Sequence, residues 1–215
     1  LKNLTKIPIP LIVGFEIKVT GRYGNNLIAL IHAFKCCLIF NLRYIIVPYN
    51  FMFINETINI KGINIVPKKN DFDYTSYIIK FPFFYPLPFC SLNFDDNVFK
   101  YLKDPLYSRF KQLNLNENDL YIHIRSGDVF IEHPNPCLGQ PPLNYYLDVI
   151  KSKKWNKIHV IAENDKNPVI KELAIRGYQY SSGRVYEDMS VLMNAVNLVV
   201  GPGSFGQAVA LISKK

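Results

Sequence analysis

The sequence predicts an α/β protein in which parallel strands alternate with covering helices. Two observations carry this prediction. The first is a strand–helix–strand unit near the amino terminus, at 11–48, and the second is a regular alternation of apolar runs and helical segments at 119–213. Strands that alternate with helices along a chain are typical of parallel sheets covered on both faces.

The amino-terminal unit has three parts. The apolar run LIVGFEIKV at 11–19 predicts a buried strand, and NNLIALIHAFKCCLIF at 25–40 is long enough for a helix. The run RYIIVP at 43–48 predicts a second strand that ends at Pro48. The first turn of this βαβ unit carries the sequence TGRYGNN.

The segment from about 63 to 106 interrupts the alternation. It is rich in aromatic residues and proline, most clearly in FPFFYPLPF at 81–89. Proline at alternate positions excludes a helix interior and a central strand. We expect an irregular segment that covers a core or joins two halves of the chain, and an aromatic surface for a partner or acceptor is the alternative.

Regular elements return in the second half of the chain. The pattern predicts alternating helices and strands, with proline at the first turn of one helix and apolar runs in the strands. In order these are a helix at 105–113, a strand at 119–125, a helix at 141–153, a strand at 157–163, a helix at 167–176, a short strand near Tyr178, a helix at 187–196, a strand at 197–201 and a helix at 204–213.

The composition is that of a folded globular chain. Of the 215 residues, 49% are hydrophobic and 20% are charged, unlike the composition of disordered segments. The net charge of +8 favours anionic partners, but the lysines stand in short, scattered groups, which favours a solvated basic surface over nucleic-acid binding. No run approaches the roughly 18 apolar residues of a membrane helix, so we expect no membrane segment within this sequence. Since the chain starts at Leu1 without Met, we expect a fragment whose targeting segment, if any, lies outside it.

The cysteines and histidines do not predict a metal centre. Four cysteines are too few and too irregularly spaced for a disulfide scaffold or a zinc pair. His32 with Cys36, and His133 with Cys137, have a spacing that a helix would turn into a facing pair. The second pair lies in HPNPC, where two prolines oppose a helix. We expect no metal site.

The stretch LYIHIRSGDVF at 120–130 predicts a functional strand end. Alternation places His123 and Arg125 on one face of the strand, with Arg125 at its carboxyl end, where ligands bind in open α/β sheets. Gly127 permits a tight turn, and Asp128 can fix the guanidinium or meet a polar substrate group. Arginine suits a phosphate because its planar fork binds two oxygens. The alternative is an Arg125–Asp128 salt bridge that closes a strand, with His123 a satisfied core histidine, and spacing alone leaves both open.

The loop GRYGNN at 21–26 lies between a predicted strand and a predicted helix. Gly21 and Gly24 allow close approach of the backbone to a ligand, and Arg22 supplies positive charge near the helix amides. The loop lacks the GK[ST] ending of a Walker A loop. A plain turn with Asn25 as the helix cap is an equal alternative.

The stretch GPGSFG at 201–206 matches G-x-G-x-x-G and lies between a predicted strand and helix. Only nine residues follow Gly206 in this sequence, so the acidic ribose ligand expected about 20 residues further on is not present, and we do not expect a complete NAD site. A phosphate or sugar held by Ser204, the neighbouring amides and the helix amino terminus is compatible with the sequence.

Together these three stretches resemble the GDP-fucose-dependent fucosyltransferase superfamily, which includes the α1,2-, α1,6- and protein O-fucosyltransferases. HIRSGD resembles the H-x-R-x-G-D donor motif, GRYGNN resembles the amino-terminal G-R-x-G-N-Q loop, and GPGSFG with the preceding EDMSVLMNAVNLVV resembles the carboxy-terminal motif ending in Ser-Ser-Phe. The motifs follow the family's order. Two departures are Gly203, where the family often has the first serine, and Asn26, which replaces the usual glutamine.

The resemblance implies a GT-B-like architecture of two Rossmann-like halves with mainly parallel sheets, which we place at 1–114 and 115–215, the second being the donor-binding half. It also implies an inverting, metal-independent transferase that uses GDP-fucose as donor, needs no cofactor and acts on a glycan or glycoprotein acceptor. The compartment would be the Golgi or secretory lumen in eukaryotes and the cytoplasm in bacteria or viruses.

The resemblance also assigns roles to single residues. Arg125 would grip the β-phosphate and stabilise the leaving GDP, and Asp128 would orient Arg125 or contact the sugar, so these two are the candidate catalytic residues. The candidate donor-binding residues are His123, Gly127, Arg22, Gly24, Asn25, Ser204, Phe205, Asp188 and Glu163. A sugar-nucleotide-binding module without turnover is the alternative function.

Overall fold

The computed structural model describes residues 13–18, 23–49, 51–68, 78–81, 96–131 and 139–214. The predicted contributions of Gly21, Arg22, His133 and Cys137, and of 82–89 in the Pro/aromatic segment, lie outside the described residues. The chain divides into two compact units, 1–105 and 106–215. The boundary predicted from the sequence, after residue 114, lies further along the chain than this division.

Unit 1 contains a mixed five-stranded sheet. Its strands are β1 (Gly14–Ile17), β2 (Tyr44–Val47), β3 (Ile58–Ile60), β4 (Ile63–Pro67) and β5 (Ile78–Phe81), in the order β3-β4-β2-β1-β5. All neighbours pair in parallel except β3 with β4, which form an antiparallel hairpin. Counted along the unit, its four parallel strands have the order 3-2-1-4, as in one half of a doubly wound sheet.

Helix α1 (Tyr23–Phe40) connects the parallel neighbours β1 and β2. It begins two residues before the predicted start, so Asn25 lies in its first turn and the alternative in which Asn25 caps the helix is wrong. By length and composition α1 could cross a membrane, although the sequence led us to expect no membrane segment. More than half of it is buried, as expected of a crossover helix packed on its sheet.

The segment predicted to be irregular contains regular structure. Strand β4 is buried at alternate positions and pairs with β2, and β5 pairs with β1. The helix predicted at 105–113 is wrong, because α2 spans Asp96–Tyr107. Its buried residues Val98, Phe99, Leu102 and Leu106 have helical spacing. Pro105 lies in the last turn, where it lacks the amide hydrogen that would continue the helix.

Unit 2 contains a four-stranded, entirely parallel sheet. Its strands are β6 (Leu120–His123), β7 (Ile158–Ile161), β8 (Gln179–Ser181) and β9 (Asn197–Val200), in the order β8-β7-β6-β9. The helices after α2 are α3 (Leu143–Lys151), α4 (Pro168–Ile175), α5 (Val185–Asn194) and α6 (Ser204–Ile212). The prediction of an α/β protein with mainly parallel sheets is therefore confirmed.

The core of unit 2 fixes which side chains of β6 are available to a ligand. Leu120, Ile122 and Ile124 face one side and pack in a buried cluster with Tyr146 and Ile150 of α3. Because side chains alternate along a strand, this packing directs His123 and Arg125 to the opposite side. A fully buried aliphatic side chain contributes about 1.5–3 kcal/mol, so the orientation of β6 is strongly determined.

Candidate functional site

The site lies where the strand order of unit 2 reverses direction. The first and fourth strands of the unit, β6 and β9, are neighbours, which makes their carboxyl ends a topological switch point. The Gly201 amide donates a hydrogen bond to the His123 carbonyl at 3.1 Å. The segment after β9 therefore runs beside the segment after β6, and two of the sequence motifs meet.

Arg125 lies at the centre of this junction. Its Nη2 is 3.3 Å from each carboxylate oxygen of Asp128, three residues later. A Cβ at Gly203 would come within 2.5 Å of Arg125 Nη1, so the guanidinium occupies space that any other residue at this position would fill. Gly203 also has φ +124°, a conformation that favours glycine. Within the described residues, the buried Nε of Arg125 has no hydrogen-bond partner.

The guanidinium meets the amino terminus of α6. Gly203 is the N-cap residue of this helix, and as glycine it has no side chain that could cap the first amides. The amino terminus of a helix carries a partial positive charge and free amide donors, and so attracts anions. Arg125 adds a full positive charge at the same end. Ser204, the first residue of α6, is partly exposed there.

His123, the last residue of β6, is buried two positions before Arg125. It is only 8% exposed, and its ring centroid lies 4.9 Å from that of Phe205 in α6. Burial, and then the positive charge of Arg125, lower the pKa of His123 to about 4. The imidazole is therefore neutral near pH 7 and can donate or accept a hydrogen bond. Among the described residues, its buried Nδ1 has no partner.

A buried asparagine–serine network holds the loop that carries Arg125. Asn164 Oδ1 accepts two hydrogen bonds from this loop, one from Ser126 Oγ at 2.7 Å and one from the Gly127 amide at 3.2 Å. Asn167 donates from its backbone to Ser126 Oγ and from Nδ2 to the Arg125 carbonyl, both at 3.0 Å. The loop after β6 is thus attached to the start of α4.

The sequence analysis missed Asn164 and Asn167. The signal for Asn167 was present, because an asparagine before a proline is typical of a helix N-cap, and Asn167 does accept a hydrogen bond from the Val169 amide. No local pattern indicates that its amide group reaches back to β6.

Gly127 and Glu163 meet in the turn after Arg125. Gly127 has φ +71°, and a Cβ at this position would overlap the Glu163 carboxylate. The turn thus depends on glycine, as the sequence predicted, and it brings Glu163 beside the Arg125 loop. The exposed Glu163 side chain gives this rim of the site a negative charge.

Asp188 lies in the first turn of α5, the helix that follows β8. Its Oδ1 accepts a hydrogen bond from the Gly183 amide at 3.2 Å. Burial raises the pKa of Asp188, and the charge of Glu187 adds to this rise. Ser182 Oγ donates to the Glu163 carbonyl at 2.8 Å and joins the loops after β7 and β8. Asp188 therefore borders the same end of the sheet.

The predicted site residues fall into two groups. His123, Arg125, Gly127, Asp128, Glu163, Ser204 and Phe205 gather at the carboxyl ends of β6, β7 and β9, with Asp188 in the first turn of α5 after β8. Gly24 and Asn25 belong to the first turn of α1 in unit 1. Within the described ranges, no group of three or more His, Cys, Asp or Glu side chains is arranged to hold a metal.

Comparison with known proteins identifies no relative: no family model, no curated protein and no solved structure matches the chain. The chemistry of the site is therefore argued from its own residues. These residues provide a fixed cation, uncapped helix amides and a neutral imidazole at one end of a parallel sheet, a combination suited to a phosphorylated ligand.

Proposed function

We propose that unit 2 binds the diphosphate of a nucleotide sugar, and that the chain is a glycosyltransferase that transfers fucose from GDP-fucose. The observation that carries this proposal is the position of Arg125 against the uncapped amino terminus of α6, at the switch point of a parallel sheet. A diphosphate presents several anionic oxygens in a small volume, which matches a guanidinium fork beside a row of amides.

The contacts of Arg125 leave it able to hold such a ligand. Both carboxylate oxygens of Asp128 approach Nη2 alone, at 3.3 Å, which is long for a charge-assisted hydrogen bond. A hydrogen bond to a charged group contributes about 1.5–3 kcal/mol, so a phosphate bound by two nitrogens of Arg125 would outweigh this contact. Asp128 would then orient the guanidinium and keep it at the site.

In the proposed reaction, Arg125 stabilises the leaving group. The bond between the fucose anomeric carbon and the β-phosphate oxygen breaks, and its electron pair leaves with GDP. An acceptor hydroxyl attacks the opposite face of the sugar, forms the new bond with inversion and releases its proton. Negative charge grows on the β-phosphate during this step, where a fixed cation and helix amides have their greatest effect. His123, which is neutral near pH 7, would supply a hydrogen bond to the ligand without adding a second positive charge.

The assignment of GDP-fucose as the donor rests on the three motifs and their order. HIRSGD, GRYGNN and GPGSFG resemble the donor motifs of the fucosyltransferase superfamily, and two of them supply the residues of the unit 2 site. We further propose that the two units are the Rossmann-like halves of a GT-B enzyme, that no metal takes part and that the acceptor is a glycan or glycoprotein. Gly127, Glu163, Asp188, Ser204 and Phe205 would line the donor site.

The departure at Gly203 fits this proposal. The family often has a serine where this chain has glycine, but here Arg125 Nη1 lies in the space of that side chain. The guanidinium of Arg125 thus occupies the space that the serine side chain would take.

The test is a donor screen by thermal shift. GDP and GDP-fucose should raise the melting temperature of the wild type, whereas UDP-glucose and ADP-glucose should have less effect. Arg125→Ala should abolish the shift and Arg125→Lys should reduce it, because lysine retains the charge but loses the fork. Arg176→Ala is the matched control, since Arg176 pairs with Glu172 on the surface of α4 and should leave the shift unchanged.

The outcomes separate binding from turnover. If GDP compounds fail to stabilise the wild type, or if Arg125→Ala responds like the wild type, the proposal is wrong. If GDP-fucose binds through Arg125 but is neither hydrolysed nor transferred to any glycan in an acceptor panel, the chain is a binding module.

A further inference from the structure

Unit 1 exposes large apolar side chains at one end of its sheet, where the inner strands β1 and β2 begin. Among the described residues, eleven large hydrophobic side chains are exposed, and five of them lie at position 13 and at 38–44 of unit 1, segments that backbone hydrogen bonds join. Ile39 is 64% exposed and Phe40 is 56% exposed. Single exposed apolar residues are ordinary, but a contiguous group indicates an interaction surface. We name this group the apolar edge; it consists of Val13, Leu38, Ile39, Phe40 and Tyr44.

Backbone hydrogen bonds hold the apolar edge in place. After Phe40, the last residue of α1, Asn41 adopts φ +52° and the Leu42 amide donates to the Cys37 carbonyl at 2.9 Å. This is the Schellman arrangement that ends a helix, and it turns Leu42 into the core. The Arg43 and Tyr44 amides then donate to the Val13 carbonyl at 2.9 and 3.1 Å. The exposed side chains are therefore presented by ordered backbone.

The charged residues that the described backbone brings to the apolar edge are basic. Arg43 is exposed within it. The Asn64 amide donates to the Arg43 carbonyl at 2.8 Å, which brings the turn containing Lys61, just before β4, to the same edge of the sheet. Along the sequence no acidic residue occurs between Glu16 and Glu56. Glu16 pairs with Lys68 beyond the carboxyl end of β4, away from the apolar edge.

We propose that the apolar edge docks onto an anionic lipid surface. Ile39 and Phe40 would enter the boundary between headgroups and acyl chains, Tyr44 would lie at the headgroup level, and Arg43 and Lys61 would meet lipid phosphates. An apolar group flanked by cations is the usual composition of interfacial membrane anchors. Helix α1 does not cross the bilayer in this proposal, because β1 and β2 at its two ends pair side by side.

A second copy of the chain fits the apolar edge less well. In a two-fold symmetric dimer the same patch meets itself, which would bring the cations of one copy towards those of the other. Each copy also carries a net charge of +8. Five side chains are far fewer than the roughly 20–30 residues a side of a standard protein interface. Lipid supplies the opposite charge and requires no matching shape.

The experiment is co-sedimentation of the purified chain with two kinds of vesicle, one of phosphatidylcholine alone and one of equal parts phosphatidylcholine and phosphatidylglycerol. The wild type should bind the anionic vesicles about tenfold more tightly than the neutral ones, and added salt should weaken that binding. The double substitution Ile39→Ser with Phe40→Ser should reduce binding about tenfold or more. Arg43→Glu should reduce binding to the anionic vesicles and leave the weak binding to neutral vesicles unchanged.

The control is Ile175→Ser, which removes a 79% exposed isoleucine at the end of α4 and should bind like the wild type. Thermal melting of every variant tests folding separately. The proposal is overturned if the wild type does not bind anionic vesicles, or if the double variant binds them as well as the wild type does. It is also overturned if size-exclusion chromatography with light scattering shows a wild-type dimer that the double variant abolishes. None of these outcomes depends on the nucleotide-sugar proposal.

Discussion

Asn167 connects the start of α4 to the backbone of Arg125. Its Nδ2 donates to the Arg125 carbonyl at 3.0 Å, while its Oδ1 accepts from the Val169 amide at 3.0 Å and caps the helix. Asn167 is 1% exposed, so losing either hydrogen bond would leave a polar group largely shielded from water. The arginine at the proposed phosphate site is therefore positioned by a residue 42 positions away in the sequence.

We predict that Asn167→Ala weakens both folding and ligand binding. The substitution removes a helix cap, worth about 0.5–2 kcal/mol, and leaves the part-buried Arg125 carbonyl without this donor, at a cost of about 1–3 kcal/mol. The free energy of unfolding in urea should fall by about 2–4 kcal/mol. The affinity for GDP, measured by calorimetry, should fall as well.

Asn167→Asp separates the two effects. Aspartate keeps the capping oxygen but cannot donate to the Arg125 carbonyl, so this variant should retain more stability than Asn167→Ala while still binding GDP more weakly than the wild type. Asn59→Ala is the control, because Asn59 makes an exposed hydrogen bond to Asn64 in unit 1. If Asn167→Asp binds GDP as tightly as the wild type, the Nδ2 hydrogen bond does not position Arg125 for binding.

The second prediction concerns Gly203. Gly203→Ser introduces the serine that the proposed family often has at this position, yet it should impair this protein. The new Cβ would come within 2.5 Å of Arg125 Nη1, and φ +124° disfavours any side chain. We expect a lower melting temperature and a loss of the GDP-induced shift.

A matched glycine distinguishes strain from contact. Gly62 has φ +79°, but a Cβ there would meet nothing within 4 Å. Gly62→Ala should therefore lower stability through backbone strain alone and leave the GDP-induced shift intact. A Gly203 variant that loses stability but keeps the full shift would contradict the placement of Arg125 against this residue.

The sequence predicted most of unit 2 because its elements are local and periodic. Strands β6, β7 and β9 and helices α3 to α6 appear close to the predicted ranges, since each shows apolar runs or helix-start signals of its own. The prediction at 63–106 was less successful. Strands β4 and β5 are stabilised by pairing with β2 and β1, partners distant in sequence, and a local pattern does not show such pairing.

The site was partly predictable for a related reason. Parallel strands have their carboxyl ends at one end of the sheet, so residues after β6 and residues after β9 lie at that end. The order β8-β7-β6-β9 in unit 2 makes β6 and β9 direct neighbours, and the sequence alone does not show this order. The role of Asn167 depends on the register between β6 and the loop after β7, and only the folded structure shows it.

The third prediction is that His123 makes the fold sensitive to acid. In the unfolded chain its imidazole should protonate with the ordinary pKa near 6.5, whereas burial and then Arg125 lower the folded-state pKa to about 4. Between these values the unfolded state binds a proton that the folded state does not. His123 should therefore lower the free energy of unfolding by up to about 1.4 kcal/mol for each pH unit below 6.5, until the effect levels off near pH 4.

Urea unfolding of the wild type and of His123→Gln at intervals from pH 7 to pH 4.5 measures this contribution. The glutamine variant loses ring packing against Phe205 and should be less stable at pH 7, but its stability should fall less steeply with acid. His32→Gln is the control. Burial and then Lys35 also lower the pKa of His32, yet His32 is only half-buried, so its removal should change the slope less. Equal slopes for the wild type and His123→Gln would mean that His123 protonates as readily in the folded chain as in the unfolded one, and that its burial beside Arg125 is not maintained in solution.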